Sequence, residues 1–147
     1  MMRTFSLCVV LVIAALGQAQ DTTRYDIPLD EKSFPQSEPK QCLESVIKAM
    51  GEKKINYLLA HLADPAMVDK RVKSVYGGVF AEMVRDAGTK LDPTTRKLFT
   101  NFVKDGKWQT GETEATVTLP ESDQRGILFL KSGNRWFMRN EKPAQEK

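Results

Sequence analysis

Histidine and cysteine are almost missing: one His and two Cys in 147 residues. Zinc and similar metals want about four N, S or O ligands at short spacing. His61 and Cys42 fall on different predicted helices, so no metal site is expected, and no cofactor. There is no G-x-S-x-G and no glycine-rich phosphate cradle, which removes the commonest hydrolase and nucleotide signatures. An N-x-S/T sequon is absent too. An excess of one charge is also lacking, with 22 Lys+Arg against 19 Asp+Glu and a net charge of +3. That balance gives no electrostatic reason to expect nucleic acid or an anionic membrane as partner. The densest basic spots, Lys53-Lys54 and Lys70-Arg71 with Lys73, have Glu52 and Asp69 beside them and read as solvated helix faces. Internal repeats and low-complexity tracts do not occur. What remains, 28% charged and 41% hydrophobic residues, is ordinary globular composition of one-domain length.

The one long apolar run is at the start. Arg3 precedes Phe5 to Leu16, apolar or small apart from Ser6, and Gly17 and Ala19 put small residues at the −3 and −1 positions of a cut. This is the layout of a secretory signal peptide. About 12 apolar residues fall short of the roughly 20 that a spanning helix needs. Cys8 lies inside the run and is badly placed as a lipid-bearing first residue. The expectation is a secreted or periplasmic chain that starts near Gln20, has no membrane span, and carries 21 basic and 19 acidic residues. Its single cysteine, Cys42, excludes a disulfide framework.

Residues 20–36 hold Pro28 and Pro35 without periodicity. They predict an extended or disordered leader that can lie on the domain through Tyr25, Ile27, Leu29 and Phe34. The domain is placed at 37–140 and a loose polar tail at 141–147. Ser37 is the expected cap of a first helix, with Leu43, Val46, Ile47 and Met50 as its buried stripe and Gly51 as its stop. Ile55, Leu58, Leu59 and Leu62 repeat the spacing in a shorter helix. Asp64-Pro65 caps a third, with Val68, Val72, Val75, Val79 and Met83 on one side and a break at Gly77-Gly78. Asp92-Pro93 opens a fourth, burying Leu98, Phe99, Phe102 and Val103.

After Asp105-Gly106 the period falls from 3.6 to 2. Ala115, Val117 and Leu119 alternate with Glu114, Thr116 and Thr118 as a half-buried strand. Trp108 opens an earlier strand, set apart by a bend at Gly111. A polar turn spans 120–126, and Ile127 to Leu130, apolar on both faces, reads as an inner strand. Ser132-Gly133-Asn134 turns into a last strand over 135–140. Helices first and a meander second predict an α+β fold with segregated layers.

The Gly51-Glu52 turn, the short helix ending Leu62-Ala63-Asp64-Pro65, the segment GETEATVTL (111–119) and the segment ILFLKSGNRWFMRN (127–140) together resemble the nuclear-transport-factor-2-like (NTF2-like) superfamily. HLADPAMVDKRV (61–72) is similar to a family of small exported bacterial proteins within it. The resemblance covers 37–140 and implies N-terminal helices packed on a curved antiparallel sheet, enclosing a cone-shaped pocket. It implies no activity, because that fold hosts isomerases, hydrolases, carriers and dimerisation modules. Relatives that isomerise steroids place a tyrosine and acids in the cone, one acid on a late strand. Here 127–130 and 135–140 carry no Asp or Glu, which favours binding over catalysis.

Few groupings could carry chemistry. Tyr57, His61 and Asp64 stand at i, i+4 and i+7, a possible acid–base set. Asp64 is better used as a cap, and a polar stripe on a short helix usually faces water. Cys42 reads as a small buried hydrophobe and not a reactive thiol. Glu112 and Glu114, two apart, share a strand face and read as solvated. Tyr57, His61, Tyr76 and Trp108 are the candidate lining of a site for a small apolar ligand. Phe137, between Arg135 and Arg139 on the face opposite Trp136 and Met138, breaks the alternation expected of a helix-backed sheet. An apolar patch rimmed by arginines suits an interface: either a homodimer or a cover supplied by the leader through Phe34 or Ile27. The functional expectation is an exported non-enzymatic binding module. The alternatives are a small cofactor-free isomerase or hydrolase using Tyr57, Tyr76 or His61, and a structural homodimer. Titratable groups deep in the cone would favour the enzyme; a filling of Met and Phe would favour the binder.

Overall fold

The structure, a computed structural model, describes residues 23–120 and 126–139. The expected signal segment 1–19, the leader's first residues 20–22, most of the polar turn (121–125) and the tail from 140 onward lie outside the described residues. The fold is α+β, with helices preceding a four-stranded antiparallel meander. Among the described residues no helix is long and apolar enough to cross a membrane.

The leader is built into the domain. Strands β1 (Thr23–Arg24) and β2 (Ile27–Pro28) pair around Tyr25 and Asp26, both in the left-handed region. A turn held by the Phe34 N–H on the Asp30 carbonyl, 3.0 Å, then delivers Phe34 into the core, 1% exposed. Tyr25 and Ile27 pack at the core's edge and Leu29 is half-buried.

Helix α1 (Pro39–Gly51) starts two residues after the expected cap. Ser37 instead donates its backbone N–H to Gln41 Oε1, 2.8 Å, so the cap bond runs in reverse. Gly51 is α1's last residue, and Lys53 takes the left-handed conformation that ends the helix. Cys42, Leu43, Val46, Ala49 and Met50 form α1's buried face. The Asp-Pro devices act as expected: Asp64 Oδ1 accepts from the Ala66 N–H, 3.3 Å, at α3 (Pro65–Ser74), and Asp92 Oδ1 from the Thr95 N–H, 2.8 Å, at α5 (Pro93–Asp105).

Between α3 and α4 (Phe80–Lys90) the chain breaks where Gly77 and Gly78 have φ of +59° and +86°. The break rotates Val75 and Val79 out of the predicted stripe, and they are the exposed large hydrophobics, at 67% and 48%. Val68, Val72 and Met83 stay buried. In α5 only Phe102 is fully buried; Leu98, Phe99 and Val103 are half-buried.

The sheet runs β3 (Lys107–Thr110), β4 (Glu114–Thr118), β5 (Ile127–Ser132), β6 (Arg135–Arg139), so β5 is an inner strand. Opposite residues Ala115, Phe129 and Met138 line the inward face with Val117 and Trp136. The outer edge of β6 is covered. Ala63 bridges Met138 in parallel, the Asp64 N–H donates to the Met138 carbonyl at 2.9 Å, and the Trp136 N–H donates to the Gln36 carbonyl at 2.9 Å.

Candidate functional site

Two places bring polar side chains together. The first is where the second helix unwinds. A single α-turn, α2 (Ile55–Tyr57), widens into a five-residue π-helix, Leu58–Leu62, closed by the Ala63 N–H on the Leu58 carbonyl, 2.9 Å. All five residues are buried, including His61 at 1%. Buried carbonyls at a helix end need partners. The α-helical partner of the His61 carbonyl would be the N–H of residue 65, which is proline. Gln36 Nε2 and Arg135 Nη2 donate to it instead, at 2.9 and 3.1 Å. The Ala60 carbonyl loses the Asp64 N–H to β6 and accepts from Arg24 Nε at 2.7 Å. The Leu62 carbonyl is 3.8 Å from Cys42 Sγ. Two arginines thus meet the negative end of this helix. Each is held: Arg24 by Asp69, 2.6 Å, and Arg135 by Gln36 Oε1, 2.9 Å.

Tyr57 and His61 share this region, with ring centroids 4.9 Å apart. The Tyr57 hydroxyl accepts the Asp30 N–H at 3.0 Å, and its ring lies 4.4 Å from that of Phe34. His61 Nε2 donates to the Ile27 carbonyl at 2.7 Å, which fixes the tautomer, and Nδ1 has no partner among the described residues. Burial pushes the imidazole below its usual pKa. The Ile27 bond works the other way, and Arg135 and Arg24 add to the depression. The stripe predicted to face water is therefore sealed beneath the leader. Asp64 does not join it: it caps α3 and pairs with Arg139 at 3.8 Å.

The second place is a slot of about 110 Å³ between the π-helix, α3, α4 and β6. Leu58, Leu59, Met67, Met83, Leu91 and Met138 line its interior, and Arg71, Tyr76, Asp86 and Lys90 are its polar residues. The Tyr76 hydroxyl donates to Asp86 Oδ2 at 2.5 Å, and Lys90 Nζ reaches the same oxygen at 3.0 Å. Those two bonds hold the Asp86 carboxyl below its ordinary pKa; the bond to Asp86 raises that of Tyr76.

Of the four candidate lining residues, only Tyr76 reaches this slot. Tyr57 and His61 are sealed under the leader. Trp108 packs its ring 5.5 Å from Phe129 on the sheet's inward face, with Nε1 buried and unpartnered among the described residues. Sequence reasoning missed Arg71, Asp86 and the methionines. Met67 and Arg71, four apart on α3, were the available signal.

The other candidates sort out simply. Phe137 is not an open patch: it is 5% exposed, with the Arg135 guanidinium 4.9 Å from its ring centroid. The leader reaches this face through Gln36 and Glu31, the latter 3.6 Å from Arg135, and not through Phe34 or Ile27. Arg139 is half-buried beside Asp64. Cys42 is fully buried, and burial pushes its thiol up to about 12. Glu112 lies in the β3–β4 turn and Glu114 starts β4, both exposed. Among the described residues no group of three His, Cys, Asp or Glu could hold a metal ion. No family model, curated protein or solved structure matches this chain.

Proposed function

We propose that this chain is an exported, non-enzymatic binding module of the NTF2-like kind, taking a small apolar ligand into the methionine-lined slot. One observation carries the reading. The slot's interior is Met67, Met83, Met138 and leucines, while three of its four titratable groups, Tyr76, Asp86 and Lys90, are already bonded to one another and the fourth is Arg71. Small-molecule sites are typically apolar concavities with a few placed polar groups. Methionine suits such a lining because its flexible thioether adapts to varied shapes. Apolar cavities of about 150 Å³ take up benzene, whose non-hydrogen atoms number six, so this volume of about 110 Å³ suits roughly four to five non-hydrogen atoms. An enzyme of the same architecture would need an acid or base inside. Of the three candidates for that role, Tyr57 and His61 are committed to leader contacts, and Tyr76, which does line the slot, donates its hydroxyl to Asp86. Helices packed over one face of an antiparallel meander agree with the cone that the resemblance implies.

The test uses the ¹³C-methyl signals of the methionines. Cyclopentane should shift Met67, Met83 and Met138 and leave Met50, which lies outside the slot, unmoved. Filling the slot with Ala87→Met should abolish the response. Cyclopentane shifting none of the three, or Met50 equally, would overturn the reading. Export is tested separately by mass: material outside the cytoplasm should lack about 19 N-terminal residues.

A further inference from the structure

We infer that the ligand of this slot is an amphipathic monoanion, a short-chain or small aromatic carboxylate, with its tail among the methionines and its carboxylate on Arg71. The inference rests on the slot being a binding site and adds the chemical class.

A second cavity adjoins the slot. It is an open groove of about 440 Å³ whose charged lining is Asp64, Lys70, Arg71 and Arg139. Met67 and Arg71 line both cavities. An apolar space and a basic one therefore meet across two residues on one face of α3, which is the layout an amphiphile needs. The charges divide unevenly. Asp64 caps α3 and lies beside Arg139. Asp86 is bound by Tyr76 and Lys90. Lys70 and Arg71 have no ion pair and no side-chain hydrogen bond among the described residues. Among those residues they are the two cations lining the cavities without a direct bond to a carboxylate, although the Arg71 charge also acts on Asp86 across the slot, and they are adjacent in sequence. Two neighbouring cations repel, and an anion placed between the cavities relieves that repulsion. A guanidinium also presents the planar fork that matches a carboxylate in two parallel bonds. Each cavity keeps one carboxylate at its edge, Asp64 or Asp86, which penalises a second negative charge on the ligand. A monoanion fits this charge pattern better than a phosphate dianion.

Hexanoate, hexan-1-ol and hexylamine share one tail and differ in head group. Each is titrated at pH 7 against the methionine methyl signals, with Met50 as internal control. Hexanoate should bind at least about five-fold more tightly than hexan-1-ol, and hexylamine most weakly. Arg71→Gln, at an exposed position, should bring hexanoate down to the level of hexan-1-ol and leave hexan-1-ol unchanged. Raising salt should weaken hexanoate alone. Hexan-1-ol binding as tightly as hexanoate, or Arg71→Gln preserving the difference, would overturn the inference while leaving the slot a binding site. If none of the three moves Met67, Met83 or Met138, the slot reading fails and this inference with it.

Discussion

At the end of the π-helix, the Ala60, His61 and Leu62 carbonyls are each met by a side chain from a distant part of the chain: Arg24, Gln36 with Arg135, and Cys42. On α3, only a few residues later, Lys70 and Arg71 have no side-chain hydrogen bond or ion pair among the described residues. The π-helix end is chemically rich, with a tyrosine, a histidine and two arginines, yet each of these residues has a structural duty. The α3 face has the composition of a solvated helix surface and holds two charges that no direct hydrogen bond or ion pair ties down. A titratable residue is thus a poor guide to function until its bonds are counted, because a buried polar group must be satisfied wherever it lies. Function is better sought where a cavity adjoins charge that the fold leaves uncommitted.

The largest effect should come from removing the leader's anchor. Phe34 is 1% exposed, with its ring 4.4 Å from that of Tyr57, just before the π-helix. Phe34→Ala removes a buried aromatic ring and leaves a cavity, for an expected loss of about 3–5 kcal/mol in urea unfolding. A loss below about 1 kcal/mol would mean that the leader merely rests on the domain, and the contrast between the two regions would collapse.

Next in size is Gln36. Its amide donates to the His61 and Trp136 carbonyls and accepts from Arg135, at the junction of leader, π-helix and β6. Gln36→Leu keeps much of the volume and the backbone bond to Trp136 but removes every side-chain bond. The His61 carbonyl keeps Arg135, but a stranded Trp136 carbonyl and an Arg135 without its Gln36 acceptor should cost about 2–3 kcal/mol, and a double-mutant cycle with Arg135→Met should show strong coupling. Additive losses from the two substitutions would show that the bonds form no network.

His61 should make stability depend on pH. Its folded-state pKa is held below the unfolded value of about 6.5. Between the two values the unfolded chain binds more protons, so stability falls as pH drops below about 6.5. The slope cannot exceed about 1.4 kcal/mol per pH unit for one group. Unfolding free energies from pH 7.5 to 5.5 should show the decline, and His61→Gln should flatten it. An unchanged slope in the variant would assign the effect elsewhere.

Much of the scaffold is legible because its signals are local. Alternation at 114–118, the Asp64-Pro65 and Asp92-Pro93 starts and the turn at Ser132-Gly133-Asn134 each need only neighbouring residues. The π-helix is not legible: Leu58, Leu59 and Leu62 satisfy an α-helical spacing equally well. The widening depends on partners for its carbonyls that lie 20 to 74 residues away. Phe34 reads as an optional contact for the same reason, since its burial depends on Tyr57. The slot is hidden differently. Arg71 reads as exposed and is exposed, but no periodicity reveals that two cavities meet beside it.

The smallest effects belong to the loop between α3 and α4, which carries Tyr76 to the slot. The sequence pattern places Val75 and Val79 in a buried stripe, and their exposure of 67% and 48% says otherwise. Val75→Thr and Val79→Thr should each change stability by less than about 0.5 kcal/mol, as surface substitutions do. The glycines between them should matter more. At Gly77 and Gly78 nothing lies within 4 Å of an added Cβ, so alanine meets no clash; both nonetheless have positive φ. The cost of Gly77→Ala or Gly78→Ala is therefore backbone strain alone, about 1–2 kcal/mol. If the loop relaxes to relieve that strain, Tyr76 moves with it and its 2.5 Å bond to Asp86 weakens. The Tyr76 hydroxyl pKa, now raised chiefly by that bond, should then fall back toward 10. An ultraviolet titration of the Gly78→Ala variant reads this directly. Valine substitutions costing more than the glycine ones would restore the buried stripe and overturn the placement of this loop.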